Sequence, residues 1–221
     1  MNDGDLTRIV PFWQELTDSQ RALLTERSHR MHASAGAHVQ DAGHSCAGVI
    51  FVMSGRLRAF MLSEQGREVT LFHVHADECC VLAASCILPM ITFDIALDAA
   101  EDSDLIVIDS QTFGFLAQSN IHAEAFTYRQ ATERFSDCMW VMQQVLFMGL
   151  DARLAIWLLD ELARSKSPRI IATHDEIARH LGSARKAVSR MLKYFAREEL
   201  VRLSRGTVEV LDARRLRQLT M

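Results

Sequence analysis

Residues 173–195 read THDEIARHLGSARKAVSRMLKYF, and their spacing decides how the rest of the chain is organised. Thr173 with Glu176 three residues on is a capping box that opens a short helix. Ile177, Ala178 and Leu181 give that helix one apolar face, and Gly182 supplies a turn. Val188, Met191, Leu192 and Phe195 then recur at helical spacing on a second helix. Arg185, Lys186, Ser189, Arg190 and Lys193 are left on its opposite face. Two short helices joined by a tight turn, the second of them basic outside, predict a helix-turn-helix, whose second helix meets base edges in the major groove. The next stretch, LVRLSRGTVEVL (200–211), alternates apolar and polar residues around Ser204-Arg205-Gly206-Thr207. That pattern predicts a β-hairpin wing. The candidate DNA-contacting residues are Thr173, Ser183, Arg185, Lys186, Ser189, Arg190, Lys193 and Arg205.

The charge distribution agrees with this reading. The formal net charge of −4 divides unevenly: residues 1–150 hold 9 Lys+Arg against 19 Asp+Glu, and residues 151–221 hold 15 against 9. A basic C-terminal third on an acidic body suggests a nucleic-acid-binding module joined to something else. Upstream, ARLAIWLLDELA (152–163) carries a helical pattern, SKSP (165–168) a loop, and Gly149-Leu150-Asp151 a break. Before that break a long helix starts near Glu124. Phe135, Met139, Met142, Leu146 and Gly149 step along it by fours and threes, an a/d-like seam. Such a seam needs a partner, which is either the chain's own N-terminal region or a second copy in a parallel homodimer with Cys138 near the interface.

The N-terminal part has a different texture. Residues 15–31 (ELTDSQRALLTERSHRM) carry apolar positions at helical spacing, with Thr17 and Ser19 as candidate caps. From Gly36 to Asp109 short apolar runs are punctuated by glycines. VIFVMSG, RLRAFML, EVTLFHVH after the EQGR turn, and IALDAAEDSDLIVID predict antiparallel strands joined by tight turns. The fold class is therefore α+β: a β-roll or jelly roll over 1–120, a long dimerisation helix over 121–149 and a winged helix-turn-helix over 150–221. No run is long enough to cross a bilayer. The start, MNDGDLTRIV, lacks the order of a signal peptide. Five cysteines without framework spacing suit reduced thiols. A cytoplasmic location is expected.

At this level of detail the chain resembles the superfamily of the cyclic-AMP receptor protein and the fumarate-nitrate regulator, bacterial transcription factors. GVIFVMSGRLRAFMLSEQGREVTLF is similar to the family's glycine-punctuated sensor hairpins. THDEIARHLGSARKAVSRMLKYF with its SRG wing is similar to the family's helix-turn-helix. The resemblance implies a cyclic-nucleotide-binding-like sensor domain, a homodimer, double-stranded promoter DNA and RNA polymerase as partners, and no enzymatic activity. In the family's usual recognition helix, Arg-Glu-Thr-Val-Ser-Arg, the positions of both arginines and the serine are filled here by Arg185, Arg190 and Ser189. Lys186 replaces the glutamate and Ala187 the threonine. Glutamate accepts from the cytosine amino group whereas lysine only donates, so the operator should differ from the family's usual one.

The resemblance also sharpens what the sensor binds. Cyclic-nucleotide relatives use a Gly-Glu pair and then an Arg-Ser pair for the phosphate, and both are missing here. Between Arg67 and Arg129 there is no Lys or Arg, and ten Asp and Glu. An anion would find no local cation. Iron-sulfur relatives use an N-terminal cysteine cluster, whereas the first cysteine here is Cys46. In the haem-containing carbon-monoxide sensors a cysteine and a histidine ligate the iron. Cys80 matches the cysteine, but Leu82 stands at the histidine position and Asn2 at the N-terminal proline position. No cofactor is called for, with haem the alternative. HVHADE places His73 and His75 on one strand face near Glu78, a partial likeness to a β-roll metalloenzyme site without its remaining ligands.

That leaves DECCVLAASC (77–86), with three cysteines in ten residues. Cys79, Cys80 and Cys86 are either small buried hydrophobes or an effector site responding to redox or reactive sulfur. A helical turn starting there would favour thiolate, whereas Asp77 and Glu78 would oppose it. A vicinal disulfide would be strained and easily reduced, and Cys86 could act as the resolving thiol. An uncharged organic effector in an apolar pocket is the further alternative. The expected function is a homodimeric DNA-binding regulator that senses a signal other than a cyclic nucleotide.

Overall fold

The computed structural model describes residues 3–41, 48–87, 95–165 and 167–220, with the side chains of residues 3 and 85–87 outside the description. They form two compact units, residues 1–62 with 71–138, and residues 63–70 with 139–221.

The first unit opens with α1 (Asp3–Ile9), a 3₁₀ turn (Trp13–Glu15) and α2 (Asp18–Arg27). Thr17 caps α2 through a reciprocal box with Gln20; Ser19 lies inside the helix. Strands β1 (Ser28–Ala33), β2 (His38–Gln40), β3 (Val49–Ser54), β4 (Arg56–Leu62), β5 (Glu68–His75), β6 (Cys79–Cys80), β7 (Ala96–Ala99) and β8 (Ser103–Ile108) follow. They form two four-stranded sheets, ordered β1-β8-β3-β6 and β2-β7-β4-β5. β8 is central in the first and pairs antiparallel with β1 (Ser28 opposite Ile108) and β3 (Val49 opposite Ile108).

The sequence pattern suggests strands joined by tight turns, and at β4–β5 the Glu64-Gln65-Gly66 turn does join neighbours. The β3–β4 connection does not. Those two strands lie in different sheets, and the chain crosses between layers at Gly55. Its φ is +83°, and a Cβ there would meet the Asp102 carbonyl oxygen at 2.3 Å. Only glycine takes that sharp corner without strain. Val49 to Val52 are all buried, as are Leu105 to Ile108, so both strands are covered on both faces. Each such side chain contributes roughly 1.5–3 kcal/mol of apolar burial.

Two helices follow the sheets: α3 (Ser110–Ser119), capped by Asp109, which the strand pattern hides, and α4 (Ile121–Phe147). Asn120 opens α4, its Oδ1 accepting from the His122 and Ala123 N–H groups. Ala123 and Thr127 are buried, and the Phe126 ring lies 5.3 Å from that of Phe12 and 6.4 Å from that of Phe51. The stripe of α4 turned to its own sheets is therefore Ala123, Thr127, Gln130 and Arg134. The a/d seam is a different stripe. Phe135, Met139, Met142 and Leu146 are exposed, Leu146 at 63%.

The second unit contains α5 (Leu150–Ser165), β9 (Arg169–Ile171), α6 (His174–His180), α7 (Arg185–Arg197), β10 (Val201–Ser204), β11 (Thr207–Val210) and α8 (Ala213–Gln218). A three-stranded sheet runs β10-β11-β9. Leu154, Ala155 and Leu158 of α5 share a core with Ile177, Val188, Leu192, Phe195 and Val208. The periodicity of α5 and α7 explains that core directly: each helix carries one apolar stripe, and the stripes meet.

Candidate functional site

The helix-turn-helix is built as its residues dictate. Thr173 Oγ1 accepts from the Glu176 N–H at 3.2 Å, and the Thr173 N–H donates to Glu176 Oε2 at 2.6 Å. Its hydroxyl oxygen thus serves the cap as an acceptor, and its O–H is left to donate. Replacing Thr173 by Ala is expected to destabilise the C-terminal unit by about 1 kcal/mol, measured by urea unfolding; an unchanged midpoint would show that the cap is dispensable. Gly182 has φ +60°, and the Ser183 N–H closes the turn on the Ala178 carbonyl at 3.0 Å. Arg153 Nη1 donates to the Leu181 carbonyl at 2.9 Å, tying α5 to the same turn.

On α7, Val188, Leu192 and Phe195 are fully buried, and Arg185, Lys186, Arg190 and Lys193 are exposed. Ser189 is half-buried between them, and Ser183 half-buried at the turn. Arg185 pairs loosely with Asp175 at 3.4 Å. Lys186, Arg190 and Lys193 have no ion pair among the described residues. Their charge faces solvent uncompensated, as an anion-binding face requires. Ala184 provides no side-chain cap, so the first N–H groups of α7 add to the positive end of that face. The wing is formed by β10 and β11, Ser204 opposite Thr207, with Gly206 at φ +67° and Arg205 exposed at the tip.

Residues 152–219 match the family of the Crp-like helix-turn-helix domain. Over nearly the whole chain the structure is similar to that of a transcriptional regulator of the Crp/Fnr family from Eubacterium rectale. The sequence identity is 36%, covering 95% of this chain and 97% of that one, with a TM-score of 0.91. This chain belongs to the Crp/Fnr family. The cyclic AMP receptor protein of Thermus thermophilus is 27% identical over 168 residues, 76% of this chain and 77% of that protein. Clp of Xanthomonas campestris, described as responsive to c-di-GMP, has a TM-score of 0.72 at 17% identity, covering 89% of this chain and 100% of that one, which is likeness of fold alone. The protein is thus a Crp/Fnr-type transcription regulator with a helix-turn-helix DNA-binding domain and an N-terminal domain of cyclic-nucleotide-binding-like fold.

In that N-terminal domain, Cys79 and Cys80 form the short strand β6, opposite Phe51 and Ile50 of β3. They precede the 3₁₀ turn Leu82–Ile87 rather than opening it as a helix. Both are unbridged and buried, and Cys138 on α4 is half-buried. Cys46 and the Cys86 side chain lie outside the described residues. Burial pushes the Cys79 thiol far above the ordinary range, and the neighbouring Cys80 adds to this. Burial also pushes Cys80 up to about 11, although the Ala83 and Leu82 backbone N–H groups draw it down. The turn's dipoles do favour thiolate, and desolvation outweighs them.

The acids before the thiols serve the backbone. Asp77 takes φ +65° in the turn after β5. Glu78 Oε2 accepts from the His75 N–H at 3.1 Å and pairs with Arg134 of α4 at 3.1 Å. Glu78 is therefore engaged, and the His73 and His75 rings sit 6.3 Å apart without it. Among the described residues no group of three or more His, Cys, Asp or Glu is placed to hold a metal ion.

A cleft of about 380 Å³ opens beside β6, lined by Ile9, Phe51, Cys79, Phe126, Gln130 and Arg134, among others. The Cys79 thiol donates to Gln130 Oε1 at 3.5 Å. Spacing alone could not find this cleft, because it joins α1, β3 and α4 across the fold. Cys80 does not line it and is fully buried. A haem iron would need that thiol open to a macrocycle, so the described residues do not fit haem.

Proposed function

We propose that this protein is a homodimeric, cytoplasmic regulator that binds double-stranded promoter DNA through paired winged helix-turn-helix units and works with RNA polymerase. Its sensor responds to a small molecule other than a cyclic nucleotide. The observation that carries the DNA reading is the exposed, uncompensated basic face of α7 beside the Arg205 wing tip. Arg185 and Arg190 are assigned to guanine or phosphate contact, Lys186 and Lys193 to base edge and backbone. The exposed α4 seam supports the homodimer, since isolated apolar stripes at heptad spacing bury themselves on a partner. Two copies would place their α7 helices one DNA turn apart.

The cleft supports effector binding: it has an aromatic floor of Phe51 and Phe126 and touches α4 through Gln130 and Arg134. Occupancy there can bias the helix that carries the dimer seam. Its rim includes Asp77, Glu78, Glu133 and Asp137 against one arginine, which disfavours a phosphate-bearing ligand. A redox or reactive-sulfur switch is the second reading, supported by the crowding of Cys79 and Cys80 beside that helix.

The DNA assignment is tested on an operator chosen from random DNA. Replacing Arg190 by Ala is expected to weaken binding by roughly 1–3 kcal/mol, read by fluorescence anisotropy. Unchanged affinity in a folded variant would remove Arg190 from the interface.

A further inference from the structure

Ser189 sits in the middle of the basic face of α7, one turn after Arg185 and one before Lys193, and its hydroxyl is not free. His174, the first residue of α6, places Nδ1 2.8 Å from Ser189 Oγ. This contact joins the two helices of the DNA-binding motif across 15 residues of chain. It has a chemical consequence for whatever α7 touches.

A serine hydroxyl has one proton and two lone pairs, and a neutral imidazole has one donor nitrogen and one acceptor nitrogen. If Nδ1 is the acceptor, the Ser189 O–H donates its hydrogen bond to His174 and Oγ keeps only lone pairs for DNA. If Nδ1 carries the proton, Ser189 accepts it and is free to donate. The tautomer therefore sets which half of the base alphabet Ser189 can recognise. Nε2 decides it. Among the described residues Nε2 has no hydrogen-bond partner, and the groups nearest a DNA-facing helix-turn-helix are phosphates, which only accept. A phosphate at Nε2 holds the proton there and leaves Nδ1 as the acceptor.

We propose that His174 is a specificity-determining residue of the DNA interface: its Nδ1 accepts a hydrogen bond from the Ser189 hydroxyl, so that Ser189 Oγ acts as an acceptor and selects an exocyclic amino group in the major groove, adenine N6 or cytosine N4. The proposal rests on the DNA-binding reading above and assigns Ser189 a polarity that the sequence does not show, since serine alone serves either role. His174 acts here as a positioning residue, through Ser189 rather than through a base.

The test selects sites from random DNA with wild type, His174→Ala, His174→Asn and Ser189→Ala. Wild type should show adenine or cytosine at one position of each half-site, favoured about tenfold. Ser189→Ala and His174→Ala should both lose that preference, at the same position and no other. His174→Asn, whose amide oxygen can stand where Nδ1 stood, should keep it. A wild-type operator carrying purine in place of the facing adenine, or a cytosine analogue lacking the amino group, should bind about tenfold less tightly. This arm needs no protein variant and holds even where His174→Ala unfolds.

If His174→Ala weakens all sites equally without changing any preference, His174 merely packs two helices and the proposal fails. It fails too if Ser189→Ala relaxes a position that His174→Ala leaves intact, or if removing the amino group changes nothing. If wild type selects no site at all, the DNA-binding reading itself is at fault, which is a distinguishable result.

Discussion

A protein carrying Met142→Glu and Leu146→Glu is expected to be a monomer at micromolar concentration and to bind its operator about 100-fold or more weakly than wild type. Both side chains are exposed on the seam of α4, so the substitutions should leave the chain's own core untouched. In a parallel dimer each would face its own copy, placing four carboxylates along one strip of interface. Desolvating like charges there costs more than a surface pair ever returns. The loss at the operator follows from geometry. In a dimer the second half-site is bound from an effective concentration set by the first, and avidity of this kind typically multiplies affinity by roughly 10²–10⁴. A monomer loses that factor with every α7 contact intact. Sedimentation velocity reads the first effect and anisotropy the second. A variant that still sediments as a dimer would place the interface elsewhere. A variant that becomes a monomer yet keeps its affinity would show that half-sites are bound independently.

What the sequence discloses follows the range over which its signals act. The helix-turn-helix is legible because its capping box, apolar stripes and Gly182 turn lie within 23 residues and each reports on its neighbours. The α4 seam is legible for the same reason, although only the fold shows that the chain's own sheets leave it exposed. The difference turns on two stripes about one residue apart: Gln130 and Arg134 face the sheets, and Phe135 and Met139 face out. Sheet partition was not legible. Pairing β3 with β8 joins residues 50 to 59 positions apart, and the apolar texture of VIFVMSG and RLRAFML is the same whether they pair or part. α3 was hidden because its apolar residues continue the strand-like texture of DLIVID. The setting of Ser189 was half legible: its place on the polar face follows from periodicity, while its contact with His174 is a tertiary fact.

Cys79 and Cys80 are expected to react with iodoacetamide in the native protein at least about tenfold more slowly than in urea. The reasoning starts from thiolate supply. With Cys80 pushed up to about 11, only about one molecule in ten thousand carries that thiolate at neutral pH. An ordinary thiol supplies a few hundredfold more. The more basic thiolate is a better nucleophile, and that recovers roughly a factor of ten. Access then slows both further, since Cys79 is 3% exposed and Cys80 fully enclosed. Packing makes a separate demand. Cys80→Ala leaves a small void, whereas Cys80→Ser places a hydroxyl in an apolar site at a cost of roughly 1–3 kcal/mol. If these thiols are core residues, Ser should be the more damaging replacement and neither should alter the response of operator binding to oxidant or polysulfide. Mass spectrometry of timed alkylation gives the order of reaction, and anisotropy gives the affinity before and after oxidation. The packing reading is overturned if Cys79 or Cys80 labels at its unfolded rate. It is overturned equally if polysulfide shifts operator affinity several-fold, reductant restores it, and Cys79→Ser with Cys80→Ser abolishes the shift. In that outcome β6 must open to react, and the Cys79–Gln130 contact is where α4 would register the opening.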